Sequence, residues 1–182
     1  MNCEKKVGIL GSGSWGTALI KMISENSNEL LWYVRDEDQA KKIIETKRNP
    51  KYLKNLNLNI GKVYISSKIE QIIKKSDILI IAIPSPYIHM NLINFKTILK
   101  NKIIFSGSKG VIPESHLVIS EHLNKFFDIP YQNLGIISGP THAEEIATNK
   151  LSYLTICSKN KNICDFLSKK LTSSYIKTSI SD

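Results

Sequence analysis

A chain of 182 residues that is 42% hydrophobic is long enough for one packed domain and too apolar for a disordered polymer. Its formal charge of +9 comes from 25 basic against 16 acidic residues, and every basic residue except Arg35 and Arg48 is a lysine scattered along the chain. That scatter argues against nucleic acid as a partner, which calls for a clustered basic stripe with interleaved aromatics. Cys3, Cys157 and Cys164 are odd in number, form no C-x-x-C pair and lack zinc-ligand spacing, so reduced thiols, no metal and a cytoplasmic location are expected. The first glycine turn arrives too early for a signal-peptide apolar region, and the longest greasy stretch, Ile78 to Pro84, is far short of a membrane span.

Short β-rich runs then alternate with helix-period segments, the pattern of βαβ units and a parallel sheet. A strand over Lys6 to Leu10 runs straight into Gly11-Ser12-Gly13-Ser14-Trp15-Gly16, and a helix over Trp15 to Glu25 follows with Ala18, Leu19, Met22 and Ile23 on one face. The second strand, Leu30 to Val34, ends in Arg35-Asp36, where Asp36 suits the N-cap of a helix through Thr46. Lys47 to Gly61 is polar and Asn-rich, a loop long enough to be functional or mobile. Strands over Val63 to Ser66 and Asp77 to Ile83 flank a helix over Ile69 to Lys74. Within the second of these strands, I-L-I-I-A-I lacks alternation, as the centre of a sheet covered on both faces should.

Pro84 stops that strand, and helices are expected over Tyr87 to Leu99 and Glu114 to Phe127, with Pro86 and Pro113 in first helical turns. Between these helices lies a strand over Lys102 to Ser106. The last third predicts strands over Leu134 to Ser138, Ser152 to Cys157 and Tyr175 to Thr178, separated by helices over Ala143 to Thr148 and Ile163 to Leu171. The fold class is therefore α/β: a doubly wound, mostly parallel sheet forming one Rossmann-like domain over residues 1–182.

Three loops carry the chemistry, each following a strand on the rim where such sheets bind ligands. In the G-x-G-x-x-G turn, Gly11 makes the tight bend, Gly13 lets the main chain approach a pyrophosphate, and Gly16 lets the helix pack close to the strand. One βα unit later, Arg35 fits an adenosine 2′-phosphate and Asp36 a helix cap, although a carboxylate there also suits a 2′-hydroxyl. The competing reading is a surface ion pair of Arg35 with Asp36 or Glu37. At the fifth strand, Ser106-Gly107-Ser108-Lys109-Gly110 offers an ammonium between glycines that permit close approach, a solvated loop lysine being the alternative. Ser138-Gly139-Pro140-Thr141-His142-Ala143 offers a substrate clamp or a plain strand-to-helix turn, with Pro140 suiting a first helical turn. No partner is specified that would make His142 an acid or base.

Together these segments resemble a family. V-G-I-L-G-S-G-S-W-G-T-A-L, W-Y-V-R-D, N-P-K-Y-L at Asn49 to Leu53, A-I-P-S at Ala82 to Ser85, S-K-G at Ser108 to Gly110 and S-G-P-T-H-A-E-E are similar, in order, to the bacterial-type NAD(P)-dependent glycerol-3-phosphate dehydrogenases. The resemblance implies reduction of dihydroxyacetone phosphate to sn-glycerol 3-phosphate by NAD(P)H for glycerophospholipid synthesis, and Arg35 as the 2′-phosphate reader favours NADP. It implies cofactor contacts at Ser14, Trp15, Arg35, Asp36, Lys109 and Ala143, to which the glycine turn adds Gly11, Ser12, Gly13 and Gly16 and the rim after the fourth strand adds Pro84. Substrate contacts fall on Lys109, Gly139 and Thr141, and Lys109 takes the catalytic role.

Members often have Phe where His142 stands and Y-L-P where this chain has Tyr52-Leu53-Lys54, so the resemblance lends His142 no role. They continue after an Asp like Asp182 into an all-helical domain carrying the proton-donating lysine, and the complete enzyme is expected to be a homodimer. This chain by itself is expected to bind dinucleotide weakly and to turn over negligibly. A dinucleotide-sensing module without catalysis is the alternative, and Arg35 disfavours a third reading, an S-adenosylmethionine methyltransferase, which ends its second strand in an acid.

Overall fold

A strand without a polar side needs cover on both faces, and β4 (Ile78–Ile81) has it: all four of its isoleucine and leucine side chains are fully buried. Ile78 and Ile80 join one apolar cluster and Leu79 and Ile81 another, so the strand divides the core into two layers. Each such burial stabilises by about 1.5–3 kcal/mol. The computed structural model describes residues 5–27 and 29–182, and Cys3 lies outside them.

Parallel neighbours flank β4: β1 (Val7–Leu10) on one side and β5 (Ile103–Ser106) on the other. Beyond β1 come β2 (Leu30–Tyr33) and β3 (Val63–Ser66), both parallel. A two-stranded hairpin, β6 (Val111–Ile112) and β7 (Leu117–Val118), stands apart from the sheet. Past β5 come β8 (Leu134–Ser138), β9 (Ser152–Cys157) and β10 (Ile176–Ser181), giving the order β10-β9-β8-β5-β4-β1-β2-β3. Strands β3 to β8 thus follow the doubly wound order, with the switch point between β1 and β4. The sheet is mostly parallel as expected, and the departure is β9, which runs antiparallel to β8 while β10 runs parallel to β9.

Helices α1 (Ser14–Ser24) and α2 (Glu37–Thr46) bury Leu19, Met22 and Ile43 in the first apolar cluster. That layer is completed by α7 (Ala143–Ala147) and α8 (Lys161–Leu171). The opposite layer holds α3 (Ile69–Lys75), α4 (Ile88–Leu92), α5 (Lys96–Leu99) and α6 (Ile119–Phe127). As expected, Asp36 caps α2, its carboxylate accepting from the Gln39 amide at 2.9 Å.

Two helices differ from expectation. Tyr87 to Leu99 is not one helix but α4 and α5 joined by a 3-10 turn over Ile93–Phe95 and preceded by another over Ser85–Tyr87. The apolar spacing that buries Ile88, Leu92 and Leu99 is met by the mixture, because 3-10 turns present side chains at nearly the same interval. Glu114 to Phe127 is helical only from Ile119. Pro113 sits in the turn of the β6–β7 hairpin, where the Ser115 and His116 amides both donate to the Ile112 carbonyl and His116 adopts a left-handed φ of 55°. The Ser115 hydroxyl then meets buried His122 at 2.8 Å, and His122 meets His89 at 2.8 Å, pinning the hairpin to α6 and α4. Burial, then the neighbouring His89, pushes the His122 imidazole below its usual range. Pro140 also lies outside a helix, since α7 begins only after His142.

Candidate functional site

The turn between β1 and α1 is held from three sides. Gly11 adopts φ 126°, its amide donates to the Tyr33 carbonyl at 3.4 Å, and its carbonyl accepts from the buried Trp32 indole at 2.9 Å. A Cβ on Gly11 would strike the Ala82 carbonyl, and one on Gly16 would strike the Gly11 carbonyl. At Gly13 a Cβ would meet open space, so the main chain there faces a cavity. Gly13 caps α1, whose first turn carries no acidic residue, and its amide groups are available to an anion.

That cavity, of about 480 Å³, is lined by Gly11, Ser12, Gly13, Ser14, Trp15, Arg35, Asp36 and Pro84, all expected at a cofactor site. It lies at the switch point, the usual place for a ligand in this architecture. Gly16 does not line this cavity and serves packing instead. Arg35 is exposed, and among the described residues no carboxylate lies within ion-pair distance of its guanidinium. The ion-pair reading of Arg35 therefore fails: Asp36 pairs with Lys51, and Glu37 pairs with Lys41 at 3.2 Å. The hydrogen bond from Lys51, then the Gln39 amide, holds the Asp36 carboxyl below the usual carboxylate range. Tyr33 also lines this cavity, and its phenol is pushed up by burial, partly offset by Arg35.

A second cavity, of about 650 Å³, is lined by Lys109, Gly139, Thr141 and Ala143 together with Ser14, Trp15, Ala82 and Pro84. The last four line both cavities, which therefore meet across the start of α1. Lys109 and Ala143, expected among the cofactor residues, stand in this second cavity and not in the first. Thr141 is 93% buried by its relative exposure of 7%, yet among the described residues its hydroxyl has no hydrogen-bond partner, and neither has the Trp15 indole N–H. Lys109 is exposed. His142 lines the same cavity, with its amide donating to Glu145 at 3.1 Å as α7 begins.

Two glycines expected to leave room for a ligand have another use. A Cβ on Gly107 would crowd the Trp15 indole, and one on Gly139 would strike the Tyr153 carbonyl of β9. Their small size lets the rim pack rather than opening it.

Residues from the loop at 47–61 also line the first cavity, a role that no local pattern in the chain points to. Lys51 and Tyr52 face it beside Gln39. Asn49 stands behind them, fully buried, and its amide donates to the Ser12 carbonyl at 3.0 Å and the Thr17 hydroxyl at 2.8 Å. Its oxygen accepts from Gln39 at 2.9 Å and from the Lys51 and Tyr52 amides at 3.1 and 3.3 Å. One side chain thus fastens the far loop to the glycine turn.

Open main chain at Gly13, the two unpartnered donors and acceptors in the second cavity, and a guanidinium at the end of β2 fit a dinucleotide spread over both cavities. Residues 6–164 match the family described as the NAD-dependent glycerol-3-phosphate dehydrogenase N-terminus. The chain belongs to this family. It is 31% identical over 97% of its length to the glycerol-3-phosphate dehydrogenase [NAD(P)+] of Macrococcus caseolyticus, covering 54% of that protein. To the Pseudomonas syringae pv. syringae protein of the same name it is 29% identical over 90% of its length, covering 47% of that protein. It thus spans about half the length of the curated relatives it matches.

Among solved structures, the Plasmodium falciparum glycerol-3-phosphate dehydrogenase superposes with a TM-score of 0.87 at 26% identity, over 97% of this chain and 52% of that one. The Coxiella burnetii enzyme shares the fold, with a TM-score of 0.85 at 22% identity over 98% of this chain and 54% of that one. The family is NAD(P)-dependent. Among the described residues, no group of three or more His, Cys, Asp or Glu is placed to hold a metal, and no helix is long and apolar enough to cross a membrane.

Proposed function

We propose that this chain is the cofactor-binding half of a cytoplasmic enzyme that reduces dihydroxyacetone phosphate to sn-glycerol 3-phosphate with NAD(P)H, supplying glycerophospholipid synthesis. The observation that carries the reading is the meeting of the two cavities at Ser14 and Trp15, beside a lysine and an unpartnered buried threonine. The Gly11 to Gly16 turn and the α1 amides hold the pyrophosphate. Arg35 pairs with the 2′-phosphate, which makes NADPH the preferred form, and Ala143 lies by the nicotinamide. The bound cofactor supplies the hydride.

Gly139 and Thr141 hold the substrate, and Lys109 sets its carbonyl oxygen and neutralises the negative charge that develops there. The carbonyl carbon gains the hydride and the oxygen a proton. The proposal assigns the proton donor to the part of the family's fold that lies beyond the aligned half of the relatives, and a homodimer to the complete enzyme. The 182 residues alone are then expected to bind NADPH and to oxidise it negligibly with dihydroxyacetone phosphate. Fluorescence titration and a steady-state absorbance assay check both statements. Failure to bind overturns the cofactor site, and measurable turnover overturns the division of labour. Arg35→Ala should weaken NADPH relative to NADH by about 1.5–3 kcal/mol, the worth of a hydrogen bond to a charged group; equal losses remove Arg35 from the 2′-phosphate.

A further inference from the structure

At the end of β2 a carboxylate normally selects NADH, because it accepts the two ribose hydroxyls, and repels the 2′-phosphate of NADPH. Asp36 stands at that position and lines the first cavity. Both its oxygens are nevertheless engaged: Oδ1 accepts from the Gln39 amide at 2.9 Å, and Oδ2 pairs with the Lys51 ammonium. Building on the function proposed above, we propose that Lys51 sets the cofactor preference, masking Asp36 when the site is empty and moving onto the 2′-phosphate as a second cation beside Arg35 when NADPH binds.

Three observations support this reading. Lys51 lines the same cavity as Arg35, and Arg35 has no ion-pair partner among the described residues. The backbone of Lys51 is anchored in the interior while its side chain is held at the surface: the Lys51 amide donates to the buried Asn49 side chain at 3.1 Å, whereas the side chain that pairs with Asp36 is 52% exposed. Asn49 in turn grips the Ser12 carbonyl, so the ammonium is tethered at a fixed place relative to the pyrophosphate turn. A phosphate monoester carries a charge of about −1.5 to −2 at neutral pH, more than one guanidinium neutralises. The pair that Lys51 would leave is a half-exposed ion pair, which is weak and easily exchanged for a phosphate. Asp36 does not then return to the ribose as a free carboxylate, because its cap to α2 remains.

The test is titration of the chain with NADPH, NADH and adenosine 2′,5′-bisphosphate, comparing the parent with Lys51→Met and Lys51→Arg. Lys51→Met is expected to weaken NADPH and the bisphosphate about tenfold or more, the usual scale for losing one charge-assisted bond. NADH is expected to hold, because it carries no 2′-phosphate and the Asp36 cap to α2 remains. Lys51→Arg should restore NADPH to near the parent value, which a merely structural lysine would not require. Equal losses for NADPH and NADH in Lys51→Met, or no loss for either, overturn the assignment while leaving the dinucleotide site standing. If the parent binds neither dinucleotide, the proposed function falls first and the role of Lys51 falls with it.

Discussion

The two ends of the site differ in how their polar groups are satisfied. At the end proposed for the ribose, Asp36, Gln39, Asn49 and the Ser12 carbonyl bond to one another in a closed network. At the other end, the Thr141 hydroxyl and the Trp15 indole N–H are buried without partners. A satisfied network rigidifies its surroundings, whereas an unpartnered buried group is a standing cost that a bound molecule can relieve. The end proposed for the nucleotide thus has a frame that is already built, and the end proposed for chemistry keeps its hydrogen-bonding capacity in reserve.

The strongest way to break that contrast is to disturb the wall both ends share. Gly16→Ala drives a methyl group into the Gly11 carbonyl, backbone against backbone, and is expected to cost about 3 kcal/mol or more of stability and to abolish dinucleotide binding. A denaturation midpoint close to the parent's would mean that the turn is softer than the description of a common wall allows. Asn49→Ala tests the built frame by stranding the Lys51 and Tyr52 amides and taking one of its two donors from the Ser12 carbonyl, at an expected cost of about 2–3 kcal/mol. Chemical denaturation measures this, and a neutral result would dissolve the ribose-end network. Smallest is Thr141→Val, which replaces an unpartnered hydroxyl with a methyl group of the same shape. Stability should change by less than about 0.5 kcal/mol or rise, while affinity for dihydroxyacetone phosphate falls in the complete enzyme. A loss of stability like that of Asn49→Ala would erase the difference between the ends.

What the chain reveals before folding follows the range of the interactions involved. The strands of the main sheet, the glycine turn and the Asp36 cap are set by neighbours within a few residues, and their positions in the structure lie within about three residues of those read from local pattern. The hairpin at Val111–Val118 hid inside a helical period because the deciding features are a proline, a left-handed His116 and a histidine reached only through the tertiary fold. Lys51, Tyr52 and Asn49 were still less legible. Their loop has no periodicity, and Asn49 acts on Ser12 and Thr17, 37 and 32 residues away in sequence. N-P-K-Y-L marked the spot as similar to the family, but nothing local says which cavity the segment will line. The reversal of β9 is set by its pairing with β8, a partner that no residue within the strand specifies.

Trp32 and Trp15, the chain's two tryptophans, occupy opposite circumstances. Trp32 is fully buried with its indole N–H fixed to the Gly11 carbonyl, while Trp15 borders both cavities with its N–H unpartnered. The protein therefore carries two intrinsic optical reporters. The emission of Trp15 lies where a bound reduced nicotinamide would quench it by energy transfer, and that of Trp32 changes when the core opens to water. A Trp15→Phe variant would leave Trp32, anchored at the glycine turn, as the one emitter, and a Trp32→Phe variant would leave Trp15, so the two variants view the same binding and unfolding events from two positions in the site.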